Sequence, residues 1–488
     1  MSDNLCKWKS KYLPEYKCHE PPLAGDEKGG CILHSEEEDK DIAEFTRKVN
    51  ERMAAPEKID LVGCYFPREF RSYFIGHKFD KPVNFRQAKF SQEANFIGAT
   101  FSQANFMEAR FSQKANFGGA TFSQGAGFGW AEFSEANFWR ATFSKEAYFR
   151  GARFSQRANF NFAKFSKVAN FREATFSEAA DFSWATFSKI AGFRGTAFGK
   201  GVKFDRAEFM DNAFFLPTEI EIIEVLVEKK IREVKLGDPT SFRHTRFLGE
   251  VRFQEVDLRH CSFLHSNIDK VDFRYCSFGN KDEKLLGFIP HRRQNVLRDE
   301  IDADKVVGAG LAPALPGVAA RATPTGKGVR EEKYEPVRRL YLELKKNFEE
   351  KRDWNTAGDF HYGEMECRRK MKEGWLWRNI LSLGAVYFWL SGYGERPLSA
   401  AVSLGLLIGI CAILYMYFEG FVGKFDGDYI RAILKSGCDS IKITTLQRIG
   451  HVDEYTSLPA KVVFMFESIV GPILIALFAL ALRRKVKR

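Results

Sequence analysis

The stretch Phe85-Arg86-Gln87-Ala88-Lys89-Phe90-Ser91-Gln92-Glu93-Ala94-Asn95-Phe96-Ile97-Gly98-Ala99-Thr100-Phe101 decides the fold. Its phenylalanines stand five or six residues apart, and the spacing runs unbroken through Phe106, Phe111, Phe117 and Phe122 to Phe209. An alanine lies two residues before nearly every one, as at Ala88, Ala94, Ala99, Ala104 and Ala109. A fixed period of this kind marks a repeat architecture, because no single repeat can bury its own apolar face. The chain is built around a solenoid.

A flat strand does not fit this spacing. Strand side chains alternate between faces, so an odd step of five sends successive Phe to opposite sides. A straight helix fits little better. Eleven residues nearly close three turns, but the intermediate Phe falls about 140° away at roughly 100° per residue. The spacers Ser102, Asn105, Ser112, Asn116, Gly98, Gly118 and Gly119 are also poor helix formers. What remains is a chain that bends once per repeat. Ala at i−2 and Phe at i share a face by the period of two, and a turn near each Ser, Asn or Gly brings the next pair back inside.

The units Ala94-Asn95-Phe96 and Ala136-Asn137-Phe138 resemble the pentapeptide-repeat family, with Phe at the central apolar position. The resemblance implies a mainly β fold, a right-handed quadrilateral β-helix with four repeats per coil. Its core starts with Phe85, Phe90, Phe96, Phe101, Phe106 and Phe111. The 24 ladder Phe from Phe85 to Phe209 then fill six coils, roughly 29 Å of rod at the inter-strand spacing. Six-residue steps such as Phe90 to Phe96 carry an extra residue after the Ser. A bulged corner is expected there, so that Phe stays inside.

The 488-residue chain carries 74 Lys/Arg against 63 Asp/Glu, a net charge of +11. Some pentapeptide-repeat proteins are acidic DNA mimics that bind topoisomerases. Between Phe85 and Phe209, however, seventeen Lys/Arg stand against ten Asp/Glu. A rod of that sign does not imitate a phosphate backbone, and no nucleic-acid partner is expected. The start Met1-Ser2-Asp3-Asn4-Leu5-Cys6-Lys7-Trp8 has no apolar run after its charges. No signal peptide is read there, and the N-terminal part is expected in the cytosol. Nine Cys are then expected as thiols or metal ligands rather than disulfides.

Residues 1–36 hold Cys6, Cys18, His19, Cys31 and His34. Zinc takes four Cys/His ligands, often with one closely spaced pair. Cys31-Ile32-Leu33-His34 supplies such a pair, so Cys6, Cys18, Cys31 and His34 form a candidate structural zinc site. It would staple a segment too short for its own core; reduced thiols in a flexible leader are the other reading. The chain has no nucleophile–base constellation, no phosphate-cradling glycine loop and no H-E-x-x-H, and no enzyme is expected.

Residues 37–58 read as an amphipathic capping helix with Ile42, Phe45, Val49 and Met53 on one side, placed to cover the open end of the rod. The main β-helix covers 59–210, with Phe66, Phe74 and Phe79 in degenerate first repeats. An insertion at 211–240 contains Ile220, Ile222, Ile223, Val225 and Val227. The ladder resumes over 241–285 from Phe242 to Phe278. That is two further coils, either of the same rod or of a separate small β-helix. Fourteen of the 23 residues from Val306 to Gly328 are Gly, Ala or Pro, which marks 286–332 as a linker. An αα-hairpin follows at 333–373, with the stripe Val337, Leu340, Tyr341, Leu344 and Phe348. Its His361, Glu364 and Glu366 read as a solvated charged surface rather than a metal site.

Two segments have spanning length. Pro397 to Tyr417 carries no charge, and Val462 to Leu482 carries only Glu467. About 20 apolar residues cross the 30 Å hydrocarbon core, so 397–418 and 462–482 are transmembrane candidates. Arg396 before the first and Arg483-Arg484-Lys485-Val486-Lys487-Arg488 after the second put both ends on the cytoplasmic side of a cell (inner) membrane, together with the solenoid. Residues 374–396, with Trp375, Trp377, Tyr387 and Trp389, suit a helix lying in the headgroup zone.

That interfacial helix, the two spans and the loop 419–461 between them resemble the two-helix pore module of tetrameric cation channels. The resemblance implies a homotetramer, and an inner helix whose start and hinge are Glu467 and Gly471. It also places Thr444-Thr445-Leu446-Gln447-Arg448-Ile449-Gly450 where a T-V-G-Y-G loop replaces the water shell of potassium with carbonyls. Both Thr match. The first Gly and the Tyr are missing, and the Arg448 guanidinium repels cations, so the expected filter is not potassium-selective. Gly392-Tyr393-Gly394-Glu395 looks closer to a filter but follows the charged run Cys367–Glu373 rather than a spanning helix. It reads as a turn. The expected function is an oligomeric, ion-channel-like membrane protein whose β-helix rod binds or regulates. A membrane-tethered scaffold without conductance is the second reading.

Overall fold

The computed structural model describes residues 5–10, 14–37, 40–220, 230–285, 289–309, 328–374, 376–395, 397–418, 429–447, 455 and 457–486. The chain divides into two units, one of residues 1–279 with 297–299, the other of 280–296 with 300–488.

The first unit is a parallel β-solenoid of about nine turns. Each coil contributes short strands to its faces, and equivalent strands of successive coils pair in parallel, forming ladders of up to ten strands along one path. Register follows the phenylalanines: Phe101, Phe122, Phe143, Phe165, Phe187 and Phe209 are direct cross-strand partners in turn. Because the backbone sets the rung spacing near 4.8 Å, each ring stacks flat on its counterpart one coil away. Phe106 to Phe128 is 5.1 Å, Phe128 to Phe149 4.9 Å and Phe149 to Phe171 4.8 Å between centroids. Rings from opposite faces meet edge-on, as Phe138 and Phe149 do at 5.4 Å and 88°, the arrangement the ring quadrupole favours. The i−2 alanines are buried with them; Ala88, Ala99 and Ala109 are fully covered.

The expected bulge is present. Between Phe111 and Phe117 the chain has one residue more than between Phe133 and Phe138, and the register of these paired strands shifts after Phe133. The insertion does not divide the rod. Phe204, Phe209 and Phe215 stack directly on Phe242, Phe247 and Phe253 at 5.1, 5.6 and 4.6 Å, so the later coils continue the same solenoid. The insertion leaves and returns through an antiparallel pair, Thr218–Ile220 with Lys230–Arg232. Ile222, Ile223, Val225 and Val227 lie outside the described residues.

At the N-terminal end, helix α1 (Ile42–Met53) is capped by the Asp41 carboxylate and buries Phe45 and Val49. The Phe45 ring meets Phe66 and Phe70 edge-on at 5.9 and 4.8 Å. This covers first-coil surface that would otherwise be open, as the pattern predicts.

The second unit begins with the hairpin Gly279–Leu285/Ile289–Val296 and helix α2 (Arg298–Ala309), whose residues from Glu300 onward belong to it. The strand Gly279–Leu285 takes the end of the span expected to hold further coils, and Ile289–Val296 and α2 fall inside the span read as linker. They bury Val296, Leu297, Ala303 and Val307 and also a cluster of ion pairs. Glu300 is fully buried and accepts from Arg293, from Tyr341 Oη at 2.6 Å and from Lys370 Nζ at 2.7 Å. Burial opposes its ionisation, but Arg293 and Lys370 outweigh that and hold its carboxyl well below the usual carboxylate range. Composition alone does not reveal such a cluster.

Helices α3 (Val329–Glu350) and α4 (Trp354–Lys370) form the αα-hairpin, with the whole stripe Val337, Leu340, Tyr341, Leu344 and Phe348 buried. At Gly363 an added Cβ would lie 2.4 Å from the Tyr341 ring, so the close approach requires glycine. Glu364 and Glu366 are not solvated, contrary to expectation. Glu366 is 2% exposed and accepts from Arg369 at 2.6 Å and from Tyr393 Oη at 3.1 Å.

A helical turn at Trp377–Leu381 and helix α5 (Leu383–Ser391), separated by the Ser382 cap, follow where the interfacial helix is expected. Trp375 and Arg396 lie outside the described residues. Gly392-Tyr393-Gly394 is a left-handed turn, and its Tyr393 is fully buried beside Glu366. Helix α6 (Pro397–Phe418), helix α7 (Tyr429–Thr444) and helix α8 (Leu458–Val486) complete the chain.

Candidate functional site

Among the described residues, two places are candidates for a functional site. The first is the N-terminal segment. Cys6, Cys18, Cys31 and His34 are all buried, and their ligand atoms lie within 4.8 Å of one another. Cys18 Sγ is 3.7 Å from Cys31 Sγ, and His34 Nδ1 is 3.1 Å from Cys31 Sγ and 3.5 Å from Cys6 Sγ. A tetrahedral ion with bonds of about 2.3 Å to sulfur and 2.0 Å to nitrogen separates its ligand atoms by roughly 3.5–3.8 Å. The Cys3His cluster therefore fits a metal ion in both donor set and spacing.

The surroundings orient these ligands. His34 Nε2–H donates to the Val62 carbonyl at 2.9 Å, which leaves Nδ1 as the metal-facing nitrogen. The Trp8 indole stacks on the His34 ring at 4.5 Å. Buried Lys40 ties the segment down by donating to the carbonyls of Ile32, Ser35 and Tyr65 at 3.2, 2.8 and 2.9 Å. Hydrogen bonds from Cys18 and Cys31 draw the Cys6 thiol well below its ordinary range, against burial. For His34, burial is outweighed by hydrogen bonds to Cys18 and Cys6, which hold the imidazole up at about 9. His19 is not part of the cluster.

The second place is the C-terminal module. Helix α6 and residues Leu458–Arg483 of α8 are long and apolar enough to cross a membrane, and only 17% and 22% of their most apolar windows are buried. A core helix of a soluble protein would be covered on most sides. Helix α7 packs against both. It turns Ala432, Ser436, Asp439, Ser440, Ile443 and Thr444 inward, and its exposed side carries Ile430, Ile433, Leu434 and Ile441 beside Arg431, Lys435 and Lys442. Four large apolar side chains thus lie uncovered on a helix whose inner side carries Ser436, Asp439, Ser440 and Thr444.

Glu467, fully buried on α8, accepts from Ser440, from Thr444 Oγ1 at 2.9 Å and from Tyr415 Oη at 2.9 Å. One carboxylate thus joins α6, α7 and α8. Four residues further along, a Cβ at Gly471 would lie 2.9 Å from the Thr444 Cα, so glycine permits the end of α7 to press against α8. Thr444 faces this junction, whereas Thr445, Leu446 and Gln447 are exposed in the turn that follows α7. Arg448 and Gly450 lie outside the described residues. Sequence reading singled out Glu467, Gly471 and Thr444. It missed Ser440 and Tyr415, although Ser440 and Thr444 stand four apart on one helix face, the spacing a single acceptor needs.

A family model described as Pentapeptide repeats (9 copies) matches residues 74–118, 108–153, 149–196 and 160–208. No curated protein and no solved structure matches the chain. From Phe74 to Glu208, then, the phenylalanine-centred coils are pentapeptide repeats, carried on a chain that also bears two helices of spanning length.

Proposed function

We propose that this chain is an oligomeric membrane protein whose α6–α7–α8 module builds an ion-conducting pore and whose solenoid is a cytoplasmic rod that binds or regulates. The observation that supports it is α7, a 16-residue helix too short to span, lodged between two spans and tied to Glu467. A re-entrant helix is tolerated at membrane depth only where protein or a water-filled cavity covers its end. Four copies around an axis would supply that cover. The stretch after Thr444, through Arg448 to Gly450, would then face the path, with an arginine and without the first glycine or the tyrosine, which argues against potassium selectivity. The basic residues after Leu482 favour a cytoplasmic C-terminus in a cell (inner) membrane.

In the same reading, zinc at Cys6, Cys18, Cys31 and His34 is a structural staple that locks the leader onto the first coil. A scaffold without conductance is the second reading, favoured specifically by the departures at Leu446, Gln447 and Arg448 from a filter sequence. Stoichiometry tests the first. Native mass spectrometry of the detergent-solubilised chain is expected to give four times the 55.8 kDa protomer mass, and a monomer would remove the pore reading.

A further inference from the structure

The solenoid carries a groove of about 870 Å³ that neither the metal cluster nor the membrane module uses. Trp8 and Lys9 of the N-terminal segment form one wall, and Arg110, Trp130, Glu132 and Arg153 line the coils opposite. This volume lies within the roughly 300–1,000 Å³ of small-molecule sites. The wall is not loose. Trp8 rests on the His34 ring, and Ser10 Oγ donates to Gln87 Oε1 at 2.7 Å.

Arg110, Glu132 and Arg153 are register partners on three successive coils. Glu132 accepts from Arg110 Nε at 2.8 Å and from Arg153 Nη1 at 3.2 Å. The shared carboxylate holds two guanidinium groups side by side. Each engages a single nitrogen there, and both side chains are more than half exposed. Lys9, Arg86 and Lys89 also line it, Arg86 paired with Glu108 at 2.9 Å and Lys89 with Glu36. Paired, exposed guanidiniums suit a phosphate, which accepts from several N–H groups at once.

Trp130 supplies the second recognition element. Its φ is +54°, a conformation bulky L residues rarely adopt, and the same corner one coil later is Gly151. The absence of a Cβ at Gly151 makes room for the indole, since a Cβ there would come within 2.7 Å of the ring. The Arg150 guanidinium lies 5.5 Å from the indole centroid, and the side chain is 46% exposed. A large aromatic held this way on the rim of a cationic groove offers a surface for a planar ring.

We infer that this groove binds a small ligand joining an aromatic ring to a phosphate, a molecule of the mononucleotide class. The ring stacks on Trp130, and the phosphate accepts from Arg110 and Arg153. An acidic peptide would satisfy the arginines without using the indole, and the test separates the two. The full chain in detergent is titrated calorimetrically with AMP, with adenosine and ribose 5-phosphate as half-ligands and a polyglutamate peptide as competitor. AMP is expected to bind saturably and each half-ligand at least about tenfold more weakly. Trp130→Ala and Arg153→Gln are each expected to weaken AMP about tenfold or more, the scale of one base stack or one charge-assisted contact. Both side chains are exposed, so thermal melts of the variants should match the parent. No saturable AMP binding overturns the inference, as do parental affinity in both variants or tighter binding of polyglutamate than of AMP.

Discussion

Phe149→Ala is expected to destabilise the solenoid by about 3–5 kcal/mol, the range for truncating a fully buried Phe that leaves a cavity. Phe149 has no exposed surface, and its ring stacks between Phe128 at 4.9 Å and Phe171 at 4.8 Å while meeting Phe138 and Phe160 edge-on at 5.4 and 5.5 Å. The neighbours cannot close the gap, because their positions are fixed by backbone ladders on every face. In a repeat array each coil is held by its two neighbours, so one such loss weakens two interfaces and divides the rod near its middle. Urea unfolding followed by far-ultraviolet circular dichroism checks this. The adjacent Tyr148→Ala, at a site 46% exposed, is the control and is expected within about 0.5 kcal/mol of the parent. Equal effects from the two substitutions would mean that the stacked columns are not the source of stability.

Cys31→Ser is expected to reduce bound zinc from one ion per chain to none and to release the leader. Cys31 is fully buried and lies within reach of both Cys18 and His34. The residues around the cluster have little apolar core of their own, and binding free energy at such a site is folding free energy, of order 10 kcal/mol in zinc-finger peptides. Residues 5–36 should therefore become sensitive to protease in the variant and in chelator-treated parent, while the coils beyond Phe85 keep their resistance. Cys64→Ser is the control, since Cys64 is buried but lies outside the cluster. Metal analysis of the intact chain gives the direct answer, and a zinc-free parent with a protected leader contradicts the assignment.

The solenoid was legible because its one rule repeats: the Phe spacing, the i−2 alanine and the Ser, Asn or Gly corner all require the same geometry. Cys31-x2-His34 was legible as a chemical pair, though that Cys6 and Cys18 join it depends on a chain path that periodicity does not determine. Charged side chains were misread. Glu364 and Glu366 look like surface residues in sequence and are buried in structure; Glu366 is held by Arg369 one turn along the same helix and by Tyr393 from beyond α5, a partner the sequence does not reveal. Helix α7 was likewise hidden. Its inward side mixes Ala432 and Ile443 with Ser436, Asp439, Ser440 and Thr444, and its outward side mixes Ile and Leu with Arg431, Lys435 and Lys442, so apolar character does not mark its inward side in the sequence. The junction at Glu467 shows the same limit, since Tyr415 and Ser440 converge on it from two other helices.

The pore reading is tested most directly by ion flux. The purified chain is reconstituted into liposomes loaded with a fluorescent reporter, and cation and anion entry are followed under an applied potential, with Glu467→Ala as the paired sample. The account predicts measurable flux in the parent without preference for potassium, and altered flux once Glu467 no longer holds Ser440, Thr444 and Tyr415 together. If no ion crosses at any voltage while the protein is inserted and oligomeric, the module is an anchor and the account is wrong.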